Sequence, residues 1–403
     1  MKLLVWNIKF FTKSRVTPQT SLDDDLNKRK LLNLNDGQRA MSALTYIFTT
    51  VQQADPDIFV VLEPRASAGD PGTLAEATSG GPSGLIYLLT YFKLLDQNWW
   101  LVPPQRINEP RVEPDDPEKK GVKYTECVGV YWRSDRLTFT GPWANTAQGI
   151  RPATAFPAIA YGAPWNGCVP INTTAAGRCL YFKDNQGSRI GFPDQHSRIP
   201  FCTTFTEIGG GQRSLALYSV HCDTYKGGEA AYALTKLPFE QGKNIYLIAG
   251  DFNIDVSAPT TGQSTYLGEL GQSFGNLYPG PAQKVFGKLD QYPPTLVYSH
   301  KYAQVDKYTK NETLDFGMLN CVNTPVPQPT CFVVDRVAGA PQDFSSAMLN
   351  PLGDFLRQNN PLDLATFRSR DNYAKIGTPA KLKSSPAILT DGTSDHLPIL
   401  LTV

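Results

Sequence analysis

Two short runs in this chain carry side chains able to do chemistry on a phosphate ester. Gly250-Asp251-Phe252-Asn253 follows an apolar stretch, Ile245-Tyr246-Leu247-Ile248-Ala249, and Ser394-Asp395-His396 precedes the last one, Leu397 to Val403. Each run places carboxylate, amide or imidazole groups just beyond a strand whose apolar character would bury it. Cleaving a phosphodiester takes a cation on the phosphoryl oxygens, a base for the attacking water and an acid for the leaving oxygen. Magnesium takes oxygen ligands, usually one or two carboxylates plus water. The strand-end candidates for such a centre are Asn7, Glu63, Glu126, His221, Asp251, Asn253, Asp315, Asp395 and His396. The chain has four histidines, His196, His221, His300 and His396, and two of them fall at these strand ends beside aspartates. Any one of these residues alone is most simply a capped strand end or a satisfied buried polar group. Nine of them in order are not accounted for in that way.

Strands and helices must alternate to bring these residues together. Leu3–Trp6, Ile58–Leu62, Cys127–Trp132, Ser214–Val220, Ile245–Ala249, Thr313–Leu319 and Leu397–Val403 read as strands. Asp36 caps a helix running to about Gln53, with Ala40, Leu44, Ile47, Phe48 and Val51 on one face, and Pro56 stops it. A second helix spans roughly Leu85 to Gln97, and the stretch from Gly84 to Val102 reads as buried helix; a third covers Glu229 to Leu237. Continuous apolar strands imply sheets covered on both faces, and their alternation with helices implies α/β layering. Two packed sheets flanked by helices fit this pattern best, and a single wound sheet is the alternative. Long stretches rich in Gly, Pro, Asn and Thr, at about 13–35, 103–123, 141–197 and 257–311, read as irregular. Core elements thread the whole length, so residues 1–403 read as one domain with long loop insertions.

Composition sets further bounds. Of the 403 residues 41% are apolar and 19% charged, enough to bury a sizeable core and to exclude wholesale disorder. A net charge of +1 excludes a strongly basic nucleic-acid coat but leaves room for a local basic groove. No apolar run approaches the ~18 residues that a membrane span needs. Met1 to Trp6 is too short for the apolar region of a signal peptide and reads as the first core strand, which points to a cytoplasmic protein and leaves other export routes open. The seven cysteines form no CxxC pair. Cys168 with Cys179, and Cys321 with Cys331, bracket short loops and could pair in an oxidising compartment; idle buried thiols in a reducing one is the simpler reading.

Six motifs, Trp6-Asn7-Ile8, Val61-Leu62-Glu63, Val220-His221, Gly250-Asp251-Phe252-Asn253, Leu314-Asp315-Phe316 and Ser394-Asp395-His396, resemble in order those of the endonuclease/exonuclease/phosphatase superfamily. The resemblance covers the core from Asn7 to His396 and implies a four-layer α/β sandwich, two packed mixed β-sheets with helices outside. It also implies hydrolysis of phosphate esters with Mg2+, or with Mn2+ or Ca2+. Within the superfamily the chain looks most like pancreatic-type deoxyribonuclease. Tyr124-Thr125-Glu126 resembles that group's strand bearing the glutamate that orients a histidine, and Arg198-Ile199-Pro200 its phosphate-binding arginine.

Carried onto this sequence, the resemblance implies that Glu63 and Asn7 hold the metal. Asp251, Asn253 and Asp395 are nearby ligands or orient water. His221 with Glu126, and His396 with Asp315, form an acid–base pair, with base and acid unassigned. Arg198 would stabilise charge on the phosphoryl oxygens, Arg65 and Tyr124 would reach into a DNA minor groove, and Lys9 would contact phosphate. Two departures stand out: Leu62 where the family carries glutamine, and Val256 where secreted deoxyribonucleases carry cysteine. The acidic stretch Glu109–Glu118 precedes Tyr124 and reads as a solvated turn. The expected function is a Mg2+-dependent DNA endonuclease. The alternatives are a phosphatase or phospholipase C-type enzyme acting on inositol phosphates, sphingomyelin or nucleotides, and a non-catalytic binding or toxin-subunit homologue.

Overall fold

A computed structural model describes chiefly residues 1–13, 54–78, 80–112, 123–141, 198–209, 213–223, 243–256, 259–279, 314–321, 329–334 and 396–403, with short pieces between them. The main strands in chain order are β1 (Lys2–Phe11), β2 (Ile58–Ser67), β3 (Trp99–Val102), β4 (Arg111–Val112), β5 (Lys123–Glu126) and β6 (Gly129–Arg133). They continue with β7 (Leu137–Phe139), β8 (Arg178–Cys179), β9 (Phe201–Glu207), β10 (Ser214–His221) and β11 (Ile245–Asp251). The last are β12 (Gly275–Leu277), β13 (Asp315–Cys321), β14 (Thr330–Val333) and β15 (Ile399–Thr402). Helices α1 (Gly80–Leu95) and α2 (Thr261–Ser273) accompany them, and the described residues between 44 and 54 are also helical.

The strands form two mixed sheets. In the first, β14, β15, β1 and β2 lie side by side; β6 and then β5 pair along the far edge of β2, with β3 beyond β6 and β4 beyond β5. β1 and β2 are parallel, while β1 and β15 are antiparallel. The second sheet runs β8-β9-β10-β11-β13-β12, with β7 also on β9 and a parallel pair at β10 and β11.

Alternation along each strand divides the apolar side chains into three clusters. Leu3, Val5, Ile58, Val60 and Leu62 of the first sheet meet Leu215, Leu217, Ile245, Leu247 and Ala249 of the second. On the outer face of the first sheet, Leu4, Trp6, Phe59 and Val61 pack against Leu85, Leu88 and Phe92 of α1 and against Leu44, Ile47 and Phe48. On the outer face of the second, Ala216, Tyr218, Tyr246, Ile248 and Met318 pack against Leu270 of α2 and Phe274. Helix, sheet, sheet and helix therefore stack in four layers, as the expected sandwich requires.

Several boundaries differ from the sequence reading. The apolar stretch from Gly84 to Val102 is not one helix. Asp96 Oδ1 accepts hydrogen bonds from both the backbone N–H and the side-chain amide of Asn98, at 2.9 and 2.8 Å, and this turn ends the helix before β3. The stretch from 257 to 311 is not wholly irregular, because it contains α2 and β12. The Thr260 hydroxyl and Gln263 side chain cap α2 reciprocally, while Leu270 is its only buried side chain among the described residues. Strands β10 and β11 run on through His221 and Asp251, and β2 continues past Glu63 to Ser67. The helices expected to start at Asp36 and at Glu229 fall, respectively, partly and wholly outside the described residues. All seven cysteines are thiols, with no disulfide across either pair that brackets a loop, and six are buried.

Candidate active site

Strand parity explains why these polar residues face the seam between the sheets. Leu3 and Val5 point into the inter-sheet core, so Asn7, two residues on, points the same way at its edge. Leu215 and Leu217 do the same for His221, and Leu247 and Ala249 for Asp251. The ladder then lines up His221 with Asp251, and Asp251 with Asp315, across three neighbouring strands. Their alternate neighbours anchor the row from outside. Phe252 and Phe316 stack with ring centroids 3.9 Å apart, and Tyr278 meets Phe316 edge-on.

Gly250 is needed for this alignment. Its φ is +149°, and a Cβ there would collide with the Val220 carbonyl. Three non-glycine residues at the site also adopt left-handed backbone: Phe10, Glu63 and Asn253, with φ of 51°, 65° and 50°. The pairing of β1 with β2 slips between Asn7 and Phe11, forming a bulge. That bulge lets the Phe10 backbone N–H donate to Glu63 Oε1 at 3.2 Å.

The two sheets close on one carboxylate oxygen. Asn7 Nδ2 donates to Asp251 Oδ2 at 2.9 Å, and the Nε2 atoms of His221 and His396 each lie 3.7 Å from that same oxygen. The other nitrogen of each imidazole has its own carboxylate. His221 Nδ1 is 2.9 Å from Glu126 Oε2, and His396 Nδ1 is 2.8 Å from Asp315 Oδ2. All six of these polar residues are buried. The other oxygen of Asp251 accepts from the Asn253 backbone N–H at 2.8 Å, and Asn253 Nδ2 donates to the Cys222 carbonyl at 2.7 Å.

Electrostatics follow from burial and neighbours. Burial raises the Glu126 carboxyl, but the Arg198 guanidinium and His221 more than offset it and hold it well below the usual carboxylate range. Burial raises the Glu63 carboxyl, and the field of His221 only partly opposes this. Asn7 Oδ1 is buried with no hydrogen-bond partner among the described residues. Asn7 pairs with Leu62, so this bare oxygen and the buried Glu63 carboxyl sit on adjacent strands. Oxygen donors of that kind suit a hard divalent cation. One ligand atom from each of Asp251, Asp315 and His396 also lies within 4.8 Å of the others.

Of the expected substrate contacts, Arg65 and Tyr124 lie beside this centre. Arg65 is the cross-strand partner of Glu126, and its guanidinium carbon sits 4.5 Å from the Tyr124 ring centroid and 3.6 Å from that of Phe10. Lys9 Nζ lies 5.6 Å from the Phe10 ring. Arg198 forms a bidentate pair with Glu126, Nε to Oε2 at 2.7 Å and Nη2 to Oε1 at 2.8 Å. Asp395 lies outside the described residues, as does most of the acidic stretch Glu109–Glu118.

Three residues with clear positional roles were not legible as such. Asn108, fully buried, accepts the Glu126 backbone N–H on its Oδ1 at 2.6 Å. Phe10 covers Arg65. The Ser394 hydroxyl donates to the Asn7 carbonyl at 2.6 Å and accepts from the backbone N–H groups of His396 and Lys9 at 3.0 and 3.3 Å. With the bond from Trp6 Nε1 to the His396 carbonyl at 2.8 Å, it fixes the His396 turn to β1. Only Ser394 carried a signal, as part of its motif.

No protein-family profile matches the sequence, and no curated protein matches it. Solved structures similar to this one include an endonuclease/exonuclease/phosphatase family protein from Leptotrichia buccalis, at 12% identity and TM-score 0.45, covering 100% of this chain and 98% of that one. TDP2 of D. rerio, complexed with single-strand DNA product, is similar at 11% and 0.43, covering 100% and 97%. A mannosyl-6-phosphatase of Bacteroides thetaiotaomicron is similar at 11% and 0.41, covering 100% and 98%. These are distant likenesses, and the architecture stands on the strand pairing described above.

Proposed function

We propose that this protein is a metal-dependent phosphodiester hydrolase of the endonuclease/exonuclease/phosphatase superfamily, built as one catalytic domain, with duplex DNA as its substrate. The observation that carries the reading is the pair of carboxylate-backed imidazoles whose Nε2 atoms both face Asp251 Oδ2 at 3.7 Å. A carboxylate on Nδ1 keeps the proton there in the neutral ring, so Nε2 is the nitrogen that exchanges a proton with substrate. One imidazole takes the proton of the attacking water, and the other delivers one to the leaving oxygen. Asp251 Oδ2, between them, orients that water. Glu63 and Asn7 would hold a divalent cation, with Asp395, adjacent to His396 in the sequence, as the further expected ligand. When bound, such an ion neutralises charge on the phosphoryl oxygens. Arg65 and Tyr124, one stacked on the other beside Glu126, would lie along a groove of the duplex, and Lys9 would meet its phosphates.

The test is a substrate panel: supercoiled plasmid, a bis-nitrophenyl phosphate diester and vesicles containing sphingomyelin or phosphoinositide, each with Mg2+ or with excess chelator. Nicking of plasmid and hydrolysis of the diester are expected with Mg2+ or Mn2+ and not with chelator. Full hydrolysis in chelator contradicts the metal, and release from the vesicles without plasmid nicking contradicts DNA as substrate.

A further inference from the structure

Arg198 crosses the seam between the two sheets. It follows a stretch outside the described residues and precedes Ile199, whose backbone N–H donates to the Ile107 carbonyl at 2.6 Å; Ile107 in turn donates to the Glu126 carbonyl at 2.8 Å. This short ladder sets Arg198 directly beside β5. Its guanidinium grips both oxygens of Glu126, and Nη1 donates to the Cys222 carbonyl at 3.2 Å. That carbonyl, one residue beyond His221, is also the acceptor for Asn253 Nδ2. Arg198 thus ties β5 of one sheet to the end of β10 in the other, and through Cys222 to the turn after Asp251.

Three of the five guanidinium N–H donors are used in these bonds, and the side chain is only 11% exposed. Glu126 Oε2 takes bonds from both Arg198 Nε and His221 Nδ1. With the Glu126 backbone held by Asn108, the carboxylate cannot swing away from the imidazole without breaking the fork. A guanidinium bound edge-on in this bidentate way has a defined orientation that a lysine would not reproduce.

We infer that Arg198 is a positioning residue: it fixes the Glu126 carboxylate on His221 Nδ1 across the two sheets, and its effect on phosphodiester hydrolysis passes through Glu126. This rests on the proposed function for the catalytic step, and it departs from the phosphate contact that the sequence resemblance implies for Arg198. The field agrees with the geometry. Burial disfavours the Arg198 charge, but Glu126, with Glu63 and Asp223 adding to it, more than offsets this and raises its pKa.

A double-mutant cycle separates the two roles. Arg198→Met and Glu126→Gln should each lower kcat on the bis-nitrophenyl diester by roughly 10–100-fold, the loss typical of a group that orients a functional histidine from behind. KM should stay within about twofold, since no ground-state contact is lost. The double variant should be no slower than the slower single one. Arg198→Lys, which keeps the charge without the fork, should recover part of the loss, and it carries the same cycle if Arg198→Met does not fold. Multiplying losses, or a raised KM at unchanged kcat, would mean that Arg198 touches the phosphoryl group and overturns the inference. Ring-nitrogen chemical shifts of His221 read the positioning without turnover, and with four histidines in the chain they are assignable. Arg198→Met should move them toward the values seen in Glu126→Gln. Unmoved shifts overturn the inference, whereas moved shifts in a protein that hydrolyses no diester would leave the brace standing and remove the proposed function.

Discussion

At the scale of single residues, the site is a set of buried polar groups, most of them held by specific partners. Two buried imidazoles have one carboxylate apiece, and Glu126 has a guanidinium behind it. Glu126 shows how such an arrangement ties stability to pH. Its carboxyl is held below the usual range in the folded chain, so the unfolded chain binds the proton first as pH falls. Its contribution is therefore present above the ordinary glutamate value of about 4.3 and drains away below it. Denaturant unfolding measured from pH 6 down to pH 3 should show a steeper loss of stability in the wild type than in Glu126→Gln. Parallel curves would mean that Glu126 is not held ionised by Arg198 and His221. The residue types of this centre were legible in the sequence, because each follows or precedes an apolar run whose parity aims it at the core edge. The partnership of Arg198 was not, since nothing in a sequence says which side chain a guanidinium 72 positions from Glu126 will grip.

At the scale of elements, the centre depends on β10 and β11 approaching closely enough to put His221 and Asp251 side by side. Gly250 permits that approach. Gly250→Ala should cost about 1–3 kcal/mol from its backbone conformation alone, with the collision against Val220 in addition. The expected outcome is a clear drop in Tm together with lost hydrolysis; a Tm and turnover like those of the wild type would contradict the role given to this strand pair. Strands were read more easily than helices, and for a physical reason. β10 and β11 are buried on both faces, so their apolar runs are continuous, whereas α2 buries only Leu270 and leaves almost no hydrophobic period. Its capping pair, Thr260 and Gln263, was the signal available. The break after Leu95 was likewise written in Asp96 and Asn98, which interrupt an otherwise apolar stretch.

At the scale of the whole molecule, the sheets bring together residues from both ends of the described chain: Trp6 bonds to the His396 carbonyl, and β1 pairs with β15. No helix among the described residues is long and apolar enough to cross a membrane. With a net charge of +1, attraction to a polyanion must come from a local surface rather than from the protein's overall field. The Phe10–Arg65–Tyr124 stack is the proposed part of that surface. Arg65→Ala with Tyr124→Ala should lower plasmid nicking while leaving diester hydrolysis near the wild-type rate, because only binding energy remote from the reacting bond is removed. Plasmid nicking should also weaken steeply with added salt, as counterion release predicts. Equal losses on both substrates would assign the stack to the chemistry instead of the duplex.

The central claim is that His221 and His396 work as one unit on either side of Asp251. Its most direct test is kcat for the bis-nitrophenyl diester in Mg2+, measured for wild type, His221→Ala, His396→Ala and the double variant, each checked for folding by circular dichroism. Each single change should cost about 10²–10⁴-fold, and the double variant should be little worse than either. A folded His221→Ala or His396→Ala protein that turns over near the wild-type rate would contradict the account.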